Sequence, residues 1–199
     1  MKVIILTKSN KRMSNNAYGK CVAGLTENGN WIRLVLDASG DSLPDKDCEA
    51  FECLDIIDVE TEGYPLEYQP ENERLMRFNG KAGRMSIEEV IDKYGVDDDT
   101  HCFVNNRNLL YENEMKQTSG SLLLLEVQNL RVYKDDRNRH KATFEYNGII
   151  YEDISMTAPE HYSRLFTYDN AFIVVSLPPN TGEYRGYYKF VAAIYPVKK

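Results

Sequence analysis

Ala142-Thr143-Phe144-Glu145-Tyr146-Asn147-Gly148-Ile149-Ile150-Tyr151-Glu152-Asp153-Ile154 reads as two strands folded back on each other. Asn-Gly accepts the positive φ angles of a tight two-residue hairpin, so Asn147-Gly148 marks the turn and sets Ala142 to Tyr146 against Ile149 to Ile154. Upstream, Leu122 to Val127 is an apolar run that continues through Leu130, Val132 and Tyr133. Such a run suits a long strand buried on both faces, with a break at Gln128-Asn129. Downstream, Pro159 to Leu165 has Pro near a helical start and no β-branched residue, which predicts one or two helical turns. Phe172 to Leu177, the turn Pro178-Pro179-Asn180-Thr181-Gly182, and Tyr187 to Tyr195 complete the series.

Three strands, a short helix and two strands, with the first strand long enough to serve two sheets, is the order of the OB-fold, a partly open five-stranded Greek-key barrel. The first half of the chain opens the same way. Val3 to Thr7 precedes Gly19 to Leu25, and Glu27-Asn28-Gly29-Asn30 turns that strand back onto Trp31 to Leu36. Leu54 to Thr61 supplies a fourth strand and Leu75 to Phe78 a fifth, with no clear helix between the third and fourth.

Ser86-Ile87-Glu88-Glu89 is a capping box, in which the Ser hydroxyl accepts from a backbone N–H three residues on while the Glu reaches back. With Gly95 as the left-handed stop, the sequence predicts a helix from Ser86 to about Tyr94. Residues 79 to 117 read as an α-containing connection with a short strand near Cys102 to Val104. The expected fold is therefore mainly β with minor α: two packed OB-like Greek-key barrels joined by a helix-containing connection. Residues 1–117 hold the first barrel and the connection, and residues 118–199 hold the second. A chain of 199 residues fits this division, given about 150 residues per domain as a soft prior.

Charge is unevenly spread. Residues 1 to 36 carry +5, from Lys2, Lys8, Lys11, Arg12, Lys20 and Arg33 against Glu27, in a chain whose net charge is −7. Residues 37 to 114 carry −14. A local cluster governs what one face binds, whereas net charge governs solubility, so a protein that coats polyanions uniformly is excluded and one cationic strip is not. No apolar run approaches the roughly 18 residues of a membrane span, and no export signal is visible, so a cytoplasmic protein without membrane attachment is expected. Cys21, Cys48, Cys53 and Cys102 then read as free thiols.

Several motifs carry a family resemblance: Ser9 and Lys11 after the opening strand, Gly19-Lys20-Cys21-Val22-Ala23-Gly24, Trp31-Ile32-Arg33, and late in the chain Ser176-Leu177 with Tyr188-Lys189-Phe190-Val191-Ala192-Ala193. Together they resemble the bacterial dual OB-fold domain family, over nearly the whole chain. In that family Pro usually follows the Arg of the Trp motif, where this chain has Leu34. The resemblance implies two OB-like barrels and a nucleic-acid-binding role.

An OB barrel binds single strands by offering aromatic faces to bases and cations to phosphates. Trp31, with Arg33 and Lys20 beside it and the loop Lys8-Ser9-Asn10-Lys11-Arg12 feeding it, is the expected platform of the first barrel. Two-residue periodicity sets Trp31, Arg33 and Val35 on one strand face and the apolar Ile32, Leu34 and Leu36 on the other. In the second half Arg131, Lys134, Arg137, Arg139, His140 and Lys141 flank the first hairpin, diluted by Asp135 and Asp136. Arg137, Arg139 and Lys141 complete the candidate phosphate contacts, and Tyr184, Tyr187 and Tyr188 near Arg185 form a further aromatic and basic group.

Other chemistries are poorly supported. Cys48, Cys53, His101 and Cys102 are four residues of zinc-binding type at awkward spacing. Asp97-Asp98-Asp99 lacks a calcium-loop pattern. His101, His140 and His161 stand in no nucleophile arrangement, and Gly80-Lys81-Ala82-Gly83-Arg84 lacks phosphate-loop spacing. No enzyme, cofactor or metal is indicated. The leading expectation is a non-enzymatic module for single-stranded DNA, RNA or a nucleotide. A protein-interaction module using the acidic middle region and an unrecognised hydrolase or nuclease are the alternatives.

Overall fold

The structure, a computed structural model, describes residues 1–13, 18–159, 165–178 and 186–197, without the side chain of Arg12. Contacts divide the chain into two compact units, Met1–Gly95 and Val96–Lys199.

Strands Lys2–Arg12 (β1), Tyr18–Thr26 (β2), Trp31–Val35 (β3), the two-residue Leu43–Pro44 (β4), Asp55–Gly63 (β5) and Asn72–Arg84 (β6) make the first unit, with a 3₁₀ turn at Asp45–Cys48. β1 pairs with β2, β2 with β3, β5 with β6 and β1 with β5, all antiparallel. The ring closes through β3 and β6, which run parallel, and β4 adds to the side of β2. This is the OB connectivity. Alternation works as the sequence implies for Ile32 and Leu34, which belong to one core with Val3, Ile5, Val22, Leu43, Phe51, Ile57 and Val59, but not for Leu36, which follows the end of β3 and is exposed. Leu34, in the place of the family's usual Pro, is thus a core side chain. Where β1 bulges between Ile5 and Thr7, a Cβ on Gly24 would stand 1.9 Å from the Ile4 carbonyl oxygen, so only Gly lets the two strands approach.

The turn between β2 and β3 differs from the expected two-residue form. Thr26 and Asn30 close a three-residue loop in which Gly29 is left-handed at φ +80°, the usual longer hairpin built on a type I turn. β6 is also longer than the expected Leu75 to Phe78. Asn79-Gly80-Lys81-Ala82-Gly83 has few strand-favouring side chains, yet β5 carries it through charge pairs. Asp55, fully buried, accepts from Lys81 at 2.7 Å, Arg84 at 2.8 Å and the Glu52 N–H at 2.7 Å. Although burial opposes ionisation, these donors hold its carboxyl below the usual range. After β6 comes the helix Ile87–Tyr94 (α1). Its capping box is present, with Ser86 Oγ accepting from the Glu89 N–H and Glu89 Oε2 accepting from the Ser86 N–H, and Gly95 at φ +77° donates to the Ile91 carbonyl.

The second unit holds Leu109–Leu110 (β7), the one-turn Glu112–Met115 (α2), Leu122–Lys134 (β8), His140–Tyr146 (β9), Ile149–Met156 (β10), Phe166–Ser176 (β11), Tyr187–Tyr188 (β12) and Phe190–Pro196 (β13). β8-β9-β10-β13-β11 close a second five-stranded barrel in which only β10 and β13 are parallel, the same connectivity as the first. Asn147 and Gly148 are both left-handed, as the two-residue turn requires. The break expected at Gln128-Asn129 is a bulge: Asn129 has φ +51° and the β8–β9 register shifts between Gln128 and Arg131. The Pro159 to Leu165 helix and the turn after Pro178 lie largely outside the described residues.

Residues 96–117, which the sequence reading attaches to the first barrel, send their hydrogen bonds to the second. The Asp97 N–H donates to the Leu124 carbonyl at 2.8 Å, and the Leu124 N–H to Asp97 Oδ2 at 2.6 Å. The Cys102 N–H donates to the Tyr151 hydroxyl at 2.9 Å. Near Cys102 there is no strand but a bridge of His101 with Phe103, and β7 pairs with β12.

Candidate nucleic-acid interface

OB folds bind oligonucleotides on the outer face of their second and third strands, flanked by the loops that join strands one to two and four to five. In the first barrel that face is β2 and β3, and the structure corrects the platform expected there. Arg33 is 3% exposed: its Nη1 donates to Cys21 Sγ at 2.8 Å and its Nη2 to Glu71 Oε1 at 3.4 Å, while its backbone N–H donates to the Glu71 carbonyl. Glu71 is 38 residues away in sequence, so no local pattern announces the pair. Trp31 is half-buried, and Ala23 and Val35 on the same face are buried.

The other cations of this region have largely structural partners. Lys8 donates to the carbonyls of Cys48 at 2.8 Å and Phe51 at 2.6 Å, reaches Glu52 at 3.2 Å and lies over the Phe51 ring, fastening the 48–52 turn to β1. Lys20 donates to Asn10 and stands 3.9 Å from Asp45. Lys11 is half-buried on β1, and the side chain of Arg12 is outside the described residues. The local excess of positive charge is thus consumed in part by folding, and the structure does not bring Arg33, Lys8 or Lys20 to an open surface.

The second barrel presents a different arrangement. Its corresponding loop, Asp135 to Arg139, is a closed turn: Asp135 Oδ1 accepts from the backbone N–H groups of Arg137 at 3.0 Å and Arg139 at 2.9 Å, and Asn138 is left-handed at φ +59°. Arg139 Nε donates to Asp135 Oδ2 at 2.7 Å. That side chain, with the backbone donors, holds the Asp135 carboxyl down at about 2. Arg137, Arg131 and Lys134 are exposed around this turn. Lys141 is not with them: it is 8% exposed and donates to the Asp153 carbonyl at 3.1 Å and to Ser155 Oγ at 3.0 Å, because β9 points it across to β10. Burial, reinforced by the nearby Arg139, pushes its ammonium below the ordinary value.

Tyr133, which the sequence reading took only as the end of a strand, lies at the centre of this surface. The Arg131 guanidinium stands 5.6 Å from its ring centre, and its hydroxyl donates to Asp153 and meets Thr143 Oγ1 at 3.4 Å. Its position immediately before the basic loop was the available signal. Glu152 and Asp153 are exposed on β10 and Glu145 is half-buried on β9, so the surface is cationic at the loop and anionic farther along the strands.

At the opposite end of the hairpin, the acidic segment 97–99 meets the turn. Asp97, Asp98, Glu126, Gln128, Glu145, Tyr146 and Asn147 surround a cleft of ≈ 290 Å³. The Tyr146 hydroxyl donates to the Asp97 carbonyl at 3.1 Å and Asn147 Nδ2 to the Asp99 carbonyl at 2.9 Å. Burial, together with the charges of Asp98 and Asp99, pushes the Tyr146 phenol up to about 12. Among the described residues no group of three or more His, Cys, Asp or Glu is placed to hold a metal ion, and no disulfide joins the four cysteines. His161, Tyr184 and Arg185 lie outside the described residues, and Tyr187 and Tyr188 are half-buried in β12.

Compared with known families, residues 1–194 match the model described as a dual OB-containing domain. No curated protein and no solved structure matches the chain.

Proposed function

The chain belongs to the dual OB-containing domain family, and from that premise we propose that it is a non-enzymatic module that binds single-stranded nucleic acid along the first hairpin of its second barrel. One observation carries this reading: Arg131, its guanidinium over the Tyr133 ring, is exposed together with Lys134 and Arg137 at the loop that joins the first two strands, a position at which OB folds grip oligonucleotides. Arg guanidinium and Lys ammonium groups supply phosphate contacts, and an aromatic ring supplies a stacking surface that tolerates any base. The carboxylates Glu152 and Asp153 of β10 bound the cationic strip. Four cysteines without a disulfide fit a reducing compartment such as the cytoplasm.

Labelled oligo-dT and oligo-U, titrated at two salt concentrations, test the proposal. An Arg131→Ala, Lys134→Ala, Arg137→Ala variant is expected to bind at least tenfold more weakly at low salt. Its log–log salt slope should be shallower by about 2, since each lost contact to a single strand removes roughly 0.7 from the slope. Equal binding by wild type and variant refutes the assignment.

The acidic cleft favours a second reading, in which a cationic protein segment docks at Asp98 and Glu126. Asp98→Lys, Glu126→Lys should then abolish co-purification of that partner while leaving oligonucleotide binding unchanged. Loss of oligonucleotide binding in the same variant removes this reading.

A further inference from the structure

In the first barrel a segment of the chain covers the ligand face. The segment 64–71 joins β5 to β6, the strand-four-to-five loop of an OB barrel, and it folds beside β3 with its side chains engaged. Leu66 bridges to Gln69, and Leu66 Cδ1 would be 2.8 Å from a Cβ on Gly40, a left-handed residue at φ +75° that lets the segment seat on the 37–42 turn. The Asn72 side-chain amide donates to Gln69 Oε1 at 3.2 Å. At the end of the segment the Glu71 carboxylate meets the Arg33 guanidinium, both nearly excluded from water.

Two features set this pair apart from an ordinary core contact. It lies on the outer side of the barrel, on the face that the fold uses for ligands, whereas Ile32 and Leu34 on the other side of the same strand form the core. The closed arrangement also leaves the buried Asn72 Oδ1 and Ser42 Oγ with no hydrogen bond, a cost that water removes when the segment lifts. A carboxylate on a guanidinium offers the same acceptor geometry as a phosphate. The ends of the strap carry Pro65 and Pro70, both exposed, which restrict it to a few backbone shapes and suit movement as one piece.

We infer that segment 64–70 is a strap over a cryptic anion site of the first barrel, and that the Glu71 carboxylate stands on Arg33 in place of the phosphate that a single-stranded nucleic acid brings when the strap lifts and this side chain turns away, the Glu71 carbonyl staying on the Arg33 N–H. This inference is independent of the assignment made for the second barrel. Trp31, the only Trp of the chain and two residues from Arg33 on β3, reports on it directly.

Glu71→Ala is compared with wild type by acrylamide quenching of Trp31 and by Trp31 quenching with oligo-dT at low salt, and circular dichroism checks the fold. The expected result is a more accessible Trp31 and oligo-dT quenching on the order of tenfold tighter, a coupling of ordinary allosteric size. Adding Arg33→Ala should then abolish the gain. A folded Glu71→Ala protein whose Trp31 is neither more accessible nor more readily quenched by oligo-dT overturns the inference. Should that variant not fold, Glu71→Gln keeps an acceptor in place without the charge, and the same two readouts decide; if neither folds, the pair is part of the fold itself and the strap is refuted. Failure of the second barrel's loop variant to lose binding, with the Trp31 response intact, would count against the second-barrel assignment alone.

Discussion

Tyr151→Ala is expected to lower the unfolding free energy of the second unit by about 3–5 kcal/mol, the range for deleting a buried aromatic ring. Tyr151 is fully buried, stacks on Phe144 with ring centres 5.3 Å apart, and lies under the Lys189 ammonium at 5.2 Å. Its hydroxyl does a separate task in accepting the Cys102 N–H. Tyr151→Phe keeps the ring and removes only that acceptor, leaving a buried N–H unpaired at about 1–3 kcal/mol. Urea unfolding of both variants separates the two contributions, and hydrogen exchange at Cys102 locates the second. If Tyr151→Phe matches wild type in both measurements, the hydroxyl does not anchor residues 96–108 to the barrel and their order has another source.

That anchoring shows what the sequence makes legible and what it hides. Both hairpins, the α1 capping box and the β8 bulge are local: each depends on residues within a few positions of one another, although Asn28-Gly29 closes a three-residue loop where Asn147-Gly148 makes the two-residue turn. The strand order then leaves few topologies to choose from, and the closed rings follow it. Pairings at long range are not legible in this way. Arg33 reads as a surface cation because its partner, Glu71, arrives from the far side of the β5–β6 connection. Lys8 is likewise spent on carbonyls 40 and 43 residues away. The second half of β6 was missed because its register is held by Asp55, Lys81 and Arg84 and not by strand-favouring side chains. An early excess of positive charge therefore reports on folding as much as on binding, and it is the exposed cations of the second barrel, around a self-contained Asp135 turn, that remain open to solvent.

Lys189 gives the second large effect, and it is one of pH. The residue is 1% exposed, and its ammonium donates to the Asn105 carbonyl at 2.6 Å and to Asn105 Oδ1 at 3.0 Å. Burial outweighs the favourable pull of Cys102 and Glu114 and pushes its pKa down to about 8 from an ordinary 10.5. Between those values the unfolded chain holds a proton that the folded chain has released, so the Lys189 contribution to stability rises with pH in that window and is flat below it. The rise amounts to about 3 kcal/mol in all. Cys48 and Cys102 act in the opposite sense, because burial pushes both thiols up to about 12 and the unfolded chain loses their protons first, from about pH 9 upward. The whole protein is therefore expected to weaken above pH 9 even as Lys189 improves. Comparing wild type with Lys189→Met at each pH cancels Cys48 and all of Cys102 except its charge coupling to Lys189: the stability difference should move in favour of wild type by about 3 kcal/mol between pH 8 and 10.5. A difference that stays constant across that range would mean that Lys189 keeps its proton in the folded state, and that Asn105 and the Tyr151 ring are enough to hold a buried charge.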